Sequence, residues 1–178
     1  PDRVGAPLSL NNLREDLGVA FETADRWVRI LENLYFCFRI APYGLPRLRA
    51  VRKERKLYLW DWSLCRNAAA RFENLVASHL LKYCHFHEDT TGDRMELRFI
   101  RDAMGREIDF VVTRDGKPLF GVECKTGEQT LSRNIGYFGT RTDIPCFYQV
   151  HLGARDYEVS GARARVLPMT AFAGVLGV

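Results

Sequence analysis

Apolar positions recur at helical spacing in two short stretches near the start of the chain. Leu10, Leu13 and Leu17 predict one helix, capped by Ser9 and broken by Gly18. Trp27, Val28, Ile30, Leu31 and Leu34 predict a second, begun at Glu22 or Thr23. Residues 35–40 and 56–60 then read as strands, on either side of a segment holding Pro42, Gly44 and Pro46. Helix, Gly-containing turn, helix and hairpin form the outline of a winged helix-turn-helix, predicted as one unit over residues 1–65.

From residue 66 the pattern lengthens. Phe72, Leu75, Val76, Leu80 and Tyr83 mark the apolar stripe of a long helix over 66–83, with Glu73 on its edge. A carboxylate there needs a cation, a metal or water; pairing with a nearby Lys or Arg would satisfy it. Strands follow over 95–101, 107–113 and 118–125, then a helix over 128–138 and a strand over 146–152. A hairpin around Ser160-Gly161 and a short terminal helix complete a second unit over 66–178. The fold class is α/β (α+β), with a mixed central sheet flanked by helices.

In the strand over 107–113, alternation puts Ile108, Phe110 and Val112 on one face and Glu107, Asp109 and Val111 on the other. In the next strand Gly121, Glu123 and Lys125 share a face. Two carboxylates on adjacent strands can hold a hard cation such as Mg²⁺ or Mn²⁺, which polarises a phosphoryl oxygen and acidifies water. Lys125 can orient that water or offset developing charge. Those are the parts of phosphodiester hydrolysis, or else of a solvated salt-bridge cluster on an open sheet face.

The turn between these strands tests the idea. A two-residue type I′ turn at Asp115-Gly116, carried on regularly, would send Asp109 and Glu123 to opposite faces. A three-residue loop, 114–116, would make them diagonal neighbours about 7–8 Å apart. An odd-length loop or a compensating bulge is therefore expected. Glu107 would then be a spare acid or a partner for Lys125. Gly121 would leave room beside Asp109 for a substrate or metal shell, or mark a tight packing contact.

Composition narrows the setting. With 47% hydrophobic and 27% charged residues, disorder is not expected. No apolar run reaches the length of a membrane span, and residues 1–10 lack signal-peptide order. Pro1 in place of an initiator Met points to a piece of a longer protein. The five cysteines, without a Cys-x-x-Cys pair, read as reduced thiols of a cytoplasmic protein. His79, Cys84, His85 and His87 lack a second well-spaced pair for zinc and read as ordinary residues of a surface loop.

Charge is uneven: residues 1–66 hold twelve basic and eight acidic side chains, residues 67–178 fourteen of each. Arg47, Arg49, Arg52, Lys53, Arg55 and Lys56 crowd the hairpin tip and would repel one another unless solvated or facing an anion. A DNA-binding reading puts Arg47, Arg49, Arg52, Lys53 and Arg55 on phosphates, with Thr23, Arg26 and Arg29 exposed on the second helix. Four wing cations on phosphates would give a log–log salt slope of about −3.6. The same outline also serves protein–protein contact. No phosphate loop of the Gly-x-x-x-x-Gly-Lys-Ser/Thr type occurs, so the chain carries no such nucleotide site.

Glu73, then Ile108-Asp109, then Glu123-Cys124-Lys125, resembles the PD-(D/E)xK nuclease motif, here without the Pro before the Asp. The order also resembles the C-terminal nuclease-like domain of bacterial and archaeal AAA-type ATPases, of the domain of unknown function 4143 type. There a Lys-x-Tyr-x-x-Asp-like string ends the winged-helix segment; Lys56, Tyr58 and Asp61 match it. The resemblance spans residues 9–152. It implies a restriction-endonuclease-like core, a metal at Asp109 and Glu123, catalytic roles for Lys125 and Glu73, and an upstream ATPase module. The implied partners are that module and DNA, with no membrane and with homo-oligomerisation left open. The alternative is a non-catalytic interaction or regulatory module of an ATPase that keeps the fold.

Overall fold

The computed structural model describes residues 2–44 and 54–177. Strand β1 (Pro7–Leu8) leads into helices α1 (Leu10–Leu17) and α2 (Phe21–Asn33). Ser9 caps α1 by accepting from Asn12 N–H, and Gly18 closes it in the left-handed conformation. Strands β2 (Cys37–Pro42) and β3 (Arg55–Leu59) pair antiparallel. A 3-10 turn, Trp62–Leu64, precedes helix α3 (Ala68–Thr91), which Asn67 caps through two backbone N–H groups. Strands β4 (Met95–Arg101), β5 (Glu107–Arg114) and β6 (Lys117–Lys125), helix α4 (Arg133–Gly139) and strand β7 (Phe147–His151) follow. Strands β8 (Tyr157–Val159) and β9 (Ala164–Pro168) and helix α5 (Met169–Leu176) end the chain.

The nine strands form one mixed sheet in the order β1-β3-β2-β4-β5-β6-β7-β9-β8. This is the α/β class, with helices on both faces. The expected boundary at 65–66 lies between the 3-10 turn and α3, and the sheet runs across it, because β2 pairs parallel with β4. Helices α3 and α5 pack on one face through Phe72, Val76, Leu80 and Phe172, against Phe110, Val112, Phe120 and Val122. Helix α4 packs on the other through Ile135 and Phe138, against Ile100, Ile108 and Val111.

Three local expectations are corrected, on α3, α4 and β5, and α2 shows which of its apolar residues are covered. Helix α3 runs on to Thr91, so His79, Cys84, His85 and His87 stand on a helix and not a surface loop. Helix α4 starts only at Arg133, after Ser132, whose hydroxyl caps it by accepting from Asn134 N–H. On α2 only Ala24 and Val28 are buried, while Trp27, Ile30, Leu31 and Leu34 stay exposed. Strand β5 does not alternate regularly, because Ile108 packs toward α4 while Phe110 and Val112 pack toward α3.

The register explains that last break. Ile100 pairs with Ile108 but Arg98 with Val111, so Asp109 and Phe110 together oppose Phe99 in a β-bulge. At the β5–β6 turn the odd-length loop is not used. Asp115 and Gly116 both take positive φ, 49° and 76°, and Arg114 pairs with Lys117 across a two-residue turn. The alternative expectation, a compensating bulge, is what occurs: Thr113 pairs with Pro118 but Val112 with Phe120, leaving Leu119 as the extra residue. Phe110 and Val112 share their face with Phe120 and Val122, as apolar alternation in β6 requires.

Gly121 turns out to mark tight packing and not open space. A Cβ there would lie 2.7 Å from Phe147 Cδ1 and 3.5 Å from Ile108 Cγ2. Gly121→Ala is expected to lower stability by about 1–3 kcal/mol in urea denaturation, because a ring inside a packed sheet cannot swing away freely. An unchanged midpoint would show that Phe147 has somewhere to go.

Candidate functional site

Strand β3 brings the residues whose part was not read from the sequence. Lys56 and Tyr58 alternate inward from it, toward α3. The Tyr58 hydroxyl donates to Glu73 Oε1 at 2.7 Å, and Lys56 Nζ lies 3.3 Å from the same oxygen. Lys56 also pairs with Glu107 Oε1 and sits 5.4 Å above the Phe99 ring. Its side chain is 1% exposed, so it is no part of a solvated basic loop. Glu107 pairs with Lys56, and at 3.6 Å with Arg101, and not with Lys125. The Lys-x-Tyr string at Lys56 and Tyr58 is visible in the sequence, but not its partners Glu73 and Glu107.

Strand β5 contributes Asp109 through its bulge. The β5–β6 ladder reaches Phe110 paired with Val122, and beyond it the Asp109 carboxylate accepts from Cys124 N–H at 2.7 Å. A side chain thus takes a place next in line to the backbone ladder. That contact sets Asp109 against the backbone between Glu123 and Lys125.

Strand β6 carries Glu123 and Lys125 on its α4 side. Glu123 Oε1 accepts from Lys125 Nζ at 2.9 Å and from the Ser132 hydroxyl at 3.1 Å. The same hydroxyl caps α4, so the helix start and the carboxylate fix one another. Gln149, on neighbouring β7, holds the loop before α4 by accepting from Ser132 N–H and donating to Gln129 O and Thr130 O.

The cluster therefore has two parts, with Asp109 between them. Glu73 and Glu107 surround Lys56 on the α3 side; Glu123 holds Lys125 on the α4 side. Four carboxylates meet two lysines, with Arg101 at the rim. Burial, then the charges of Glu73 and Glu123, push the Asp109 carboxyl well above the ordinary range. Burial also raises Glu107, against the pull of Lys56. Burial alone would lower the Lys56 ammonium, but Glu73, Asp109 and Glu107 outweigh it and hold its pKa above the usual value. Lys125 is raised in the same way, burial being outweighed by Glu123.

The donor set suits a hard divalent cation. Glu123 has a side chain 4% exposed, and its Oε2 is buried with no hydrogen-bond partner; Glu107 Oε2 also lacks a hydrogen bond but has Arg101 Nη1 3.6 Å away. Buried carboxylate oxygens are rarely left so. Among the described residues no three His, Cys, Asp or Glu side chains form a group that could hold a metal ion; Asp109 and Glu123 are the carboxylates that a hard cation keeping several waters, such as Mg²⁺, could use.

The expected DNA-binding residues are placed in part. Arg26 and Arg29 are exposed on α2, and Arg29 pairs with Asp25 at 2.9 Å. Arg29 and Arg55 line one cleft of about 540 Å³, together with Arg39, whose guanidinium is held by both oxygens of Glu32. Arg47, Arg49, Arg52 and Lys53 lie outside the described residues. All five cysteines are free, and among the described residues no helix is long and apolar enough to cross a membrane.

No curated protein and no solved structure matches the chain. Residues 1–75 match the model of a domain of unknown function, DUF8612. Residues 69–172, more than half the chain and including Glu73, Asp109, Glu123 and Lys125 but not Lys56 or Tyr58, match that of another domain of unknown function, DUF4143, and the chain belongs to that family.

Proposed function

We propose that this chain is a cytoplasmic, nuclease-like module that hydrolyses DNA phosphodiester bonds with a divalent cation, in a protein that also carries an AAA-type ATPase. The observation behind this is the unpartnered, buried Oε2 of Glu123, in a cluster with more carboxylates than lysines. Asp109 and Glu123 would hold Mg²⁺ or Mn²⁺, which when bound supplies an acidified water and a polarised phosphoryl oxygen. Lys125, tethered to Glu123 and about a quarter exposed, orients that water and meets charge gathering on the phosphoryl group. Glu73 acts at one remove: fixed by Tyr58 and Lys56, it sets the field at Asp109 as a positioning residue. The first 65 residues act as a winged helix that places the duplex, using Arg26, Arg29 and Arg55.

The test is cleavage of a fluorescent DNA duplex with Mn²⁺ or Mg²⁺, and with chelator. Lys125→Ala is expected to slow cleavage by about 10²-fold or more, because the charge it offsets is then met only by water. Cleavage that ignores chelator would remove the proposal. One observation favours a second reading, a non-catalytic docking module: the exposed Trp27, Ile30 and Leu31 of α2, with Leu34 just past its end, form an apolar surface of the kind that binds protein. A chain that never cleaves DNA, even joined to its ATPase, would fit that reading.

A further inference from the structure

We infer that the Lys56 ammonium fills the second of two cation positions in the acid cluster, so that the site takes one divalent cation and not two. The inference rests on the cation-dependent reading above and deepens it.

The two halves of the cluster are unequal. On the α3 side Glu73 Oε1, 3.3 Å away, and Glu107 Oε1 already face a cation, Lys56 Nζ. Tyr58 holds the Glu73 carboxylate toward it at 2.7 Å. That ammonium is covalently attached, 1% exposed and anchored on a strand paired on both sides. It cannot leave when an ion arrives. On the α4 side Glu123 has a buried oxygen with no partner, and Lys125, 28% exposed, can swing aside. Glu107 Oε2 also lacks a hydrogen bond, but Arg101 Nη1 lies 3.6 Å from it, so the α3 position is met by the chain's own cations, while Glu123 Oε2 offers a donor with no hydrogen-bond partner. A monovalent charge in the first position leaves the cluster short of positive charge, which one divalent ion beside Asp109 would supply. Removing Lys56 would leave Glu73 and Glu107, about four-fifths buried, with only Tyr58 and Arg101 as partners, a costly state that a second divalent ion could relieve.

The experiment counts Mn²⁺ alone, by electron paramagnetic resonance of the free ion, on the metal-stripped full chain. Wild type is expected to bind one equivalent, Lys56→Ala two, and Lys56→Arg one. Near-UV circular dichroism reports whether each variant is folded, and Lys56→Ser is a second route to the vacated position. Two equivalents in wild type, or one in a folded Lys56→Ala or Lys56→Ser, would overturn the inference while leaving the hydrolase reading intact. No binding in wild type would remove both. Should neither variant fold, the wild-type number decides: one sustains the inference and two ends it.

Discussion

The Asp109→Asn variant is expected to cleave DNA about 10³-fold more slowly than the wild type while remaining at least as stable. The amide keeps nearly the same shape, and its oxygen can still accept from Cys124 N–H, which wild-type Asp109 does at 2.7 Å. What it loses is charge. Removing a partner that merely supports a metal ligand typically costs 10–100-fold, so loss of a ligand itself should exceed that. Stability runs the other way. Burial and the charges of Glu73 and Glu123 make ionised Asp109 unfavourable in the folded chain, so a neutral side chain removes a cost. Initial cleavage rates with Mn²⁺ and thermal melts in chelator measure the two effects. A rate within about tenfold of wild type would exclude Asp109 as a ligand; a lower melting temperature would make it a structural residue first.

Asn74→Ala is expected to destabilise the chain by about 3–5 kcal/mol, the largest effect of any single polar truncation considered. Asn74 is fully buried on α3. Its Oδ1 accepts from Leu59 N–H at 2.8 Å and its Nδ2 donates to Leu59 O at 2.7 Å. The side-chain amide therefore pairs with β3 as a neighbouring strand would. Truncation leaves a donor and an acceptor buried without partners, at about 1–3 kcal/mol each, and opens a small void besides. Urea denaturation gives the number, and Asn74→Asp, which keeps only the acceptor, should fall between. A loss below about 1 kcal/mol would mean that water reaches Leu59.

Much of this fold is readable from pattern alone. Ser9 and Gly18 act locally, through caps, and local rules describe them; Asn67, inside the expected helix, and the two-residue turn at Asp115-Gly116 are equally local, but the expected pattern does not assign them those roles. β4 falls where its apolar run predicts. The limits of α3 and α4 are misread at local caps, Gly92 and Ser132; the other misreadings depend on partners distant in the chain. Lys56 looks like one more solvated cation among Arg52, Lys53 and Arg55 until α3 and β5 supply Glu73 and Glu107. The bulge at Asp109-Phe110 is set by pairing with Phe99 across the sheet, so simple alternation assigns Ile108 to the wrong face. Glu123 and Lys125 do share a face, but Ser132, the third member of that group, is found only when α4 is known to start at Arg133. The α2 stripe has the spacing of a buried face, yet spacing does not say whether anything covers it.

The pairing of β2 with β4 has a consequence for any attempt to exchange parts of this protein. A chimera that grafts the first 65 residues of a relative onto residue 66 onward must match at once a seam of main-chain hydrogen bonds, the Asn74 clasp on β3, and the placement of one ammonium among foreign acids. Residues on both sides of that join are thus expected to change together, and a hybrid that mixes them freely should fold poorly even where each half is sound.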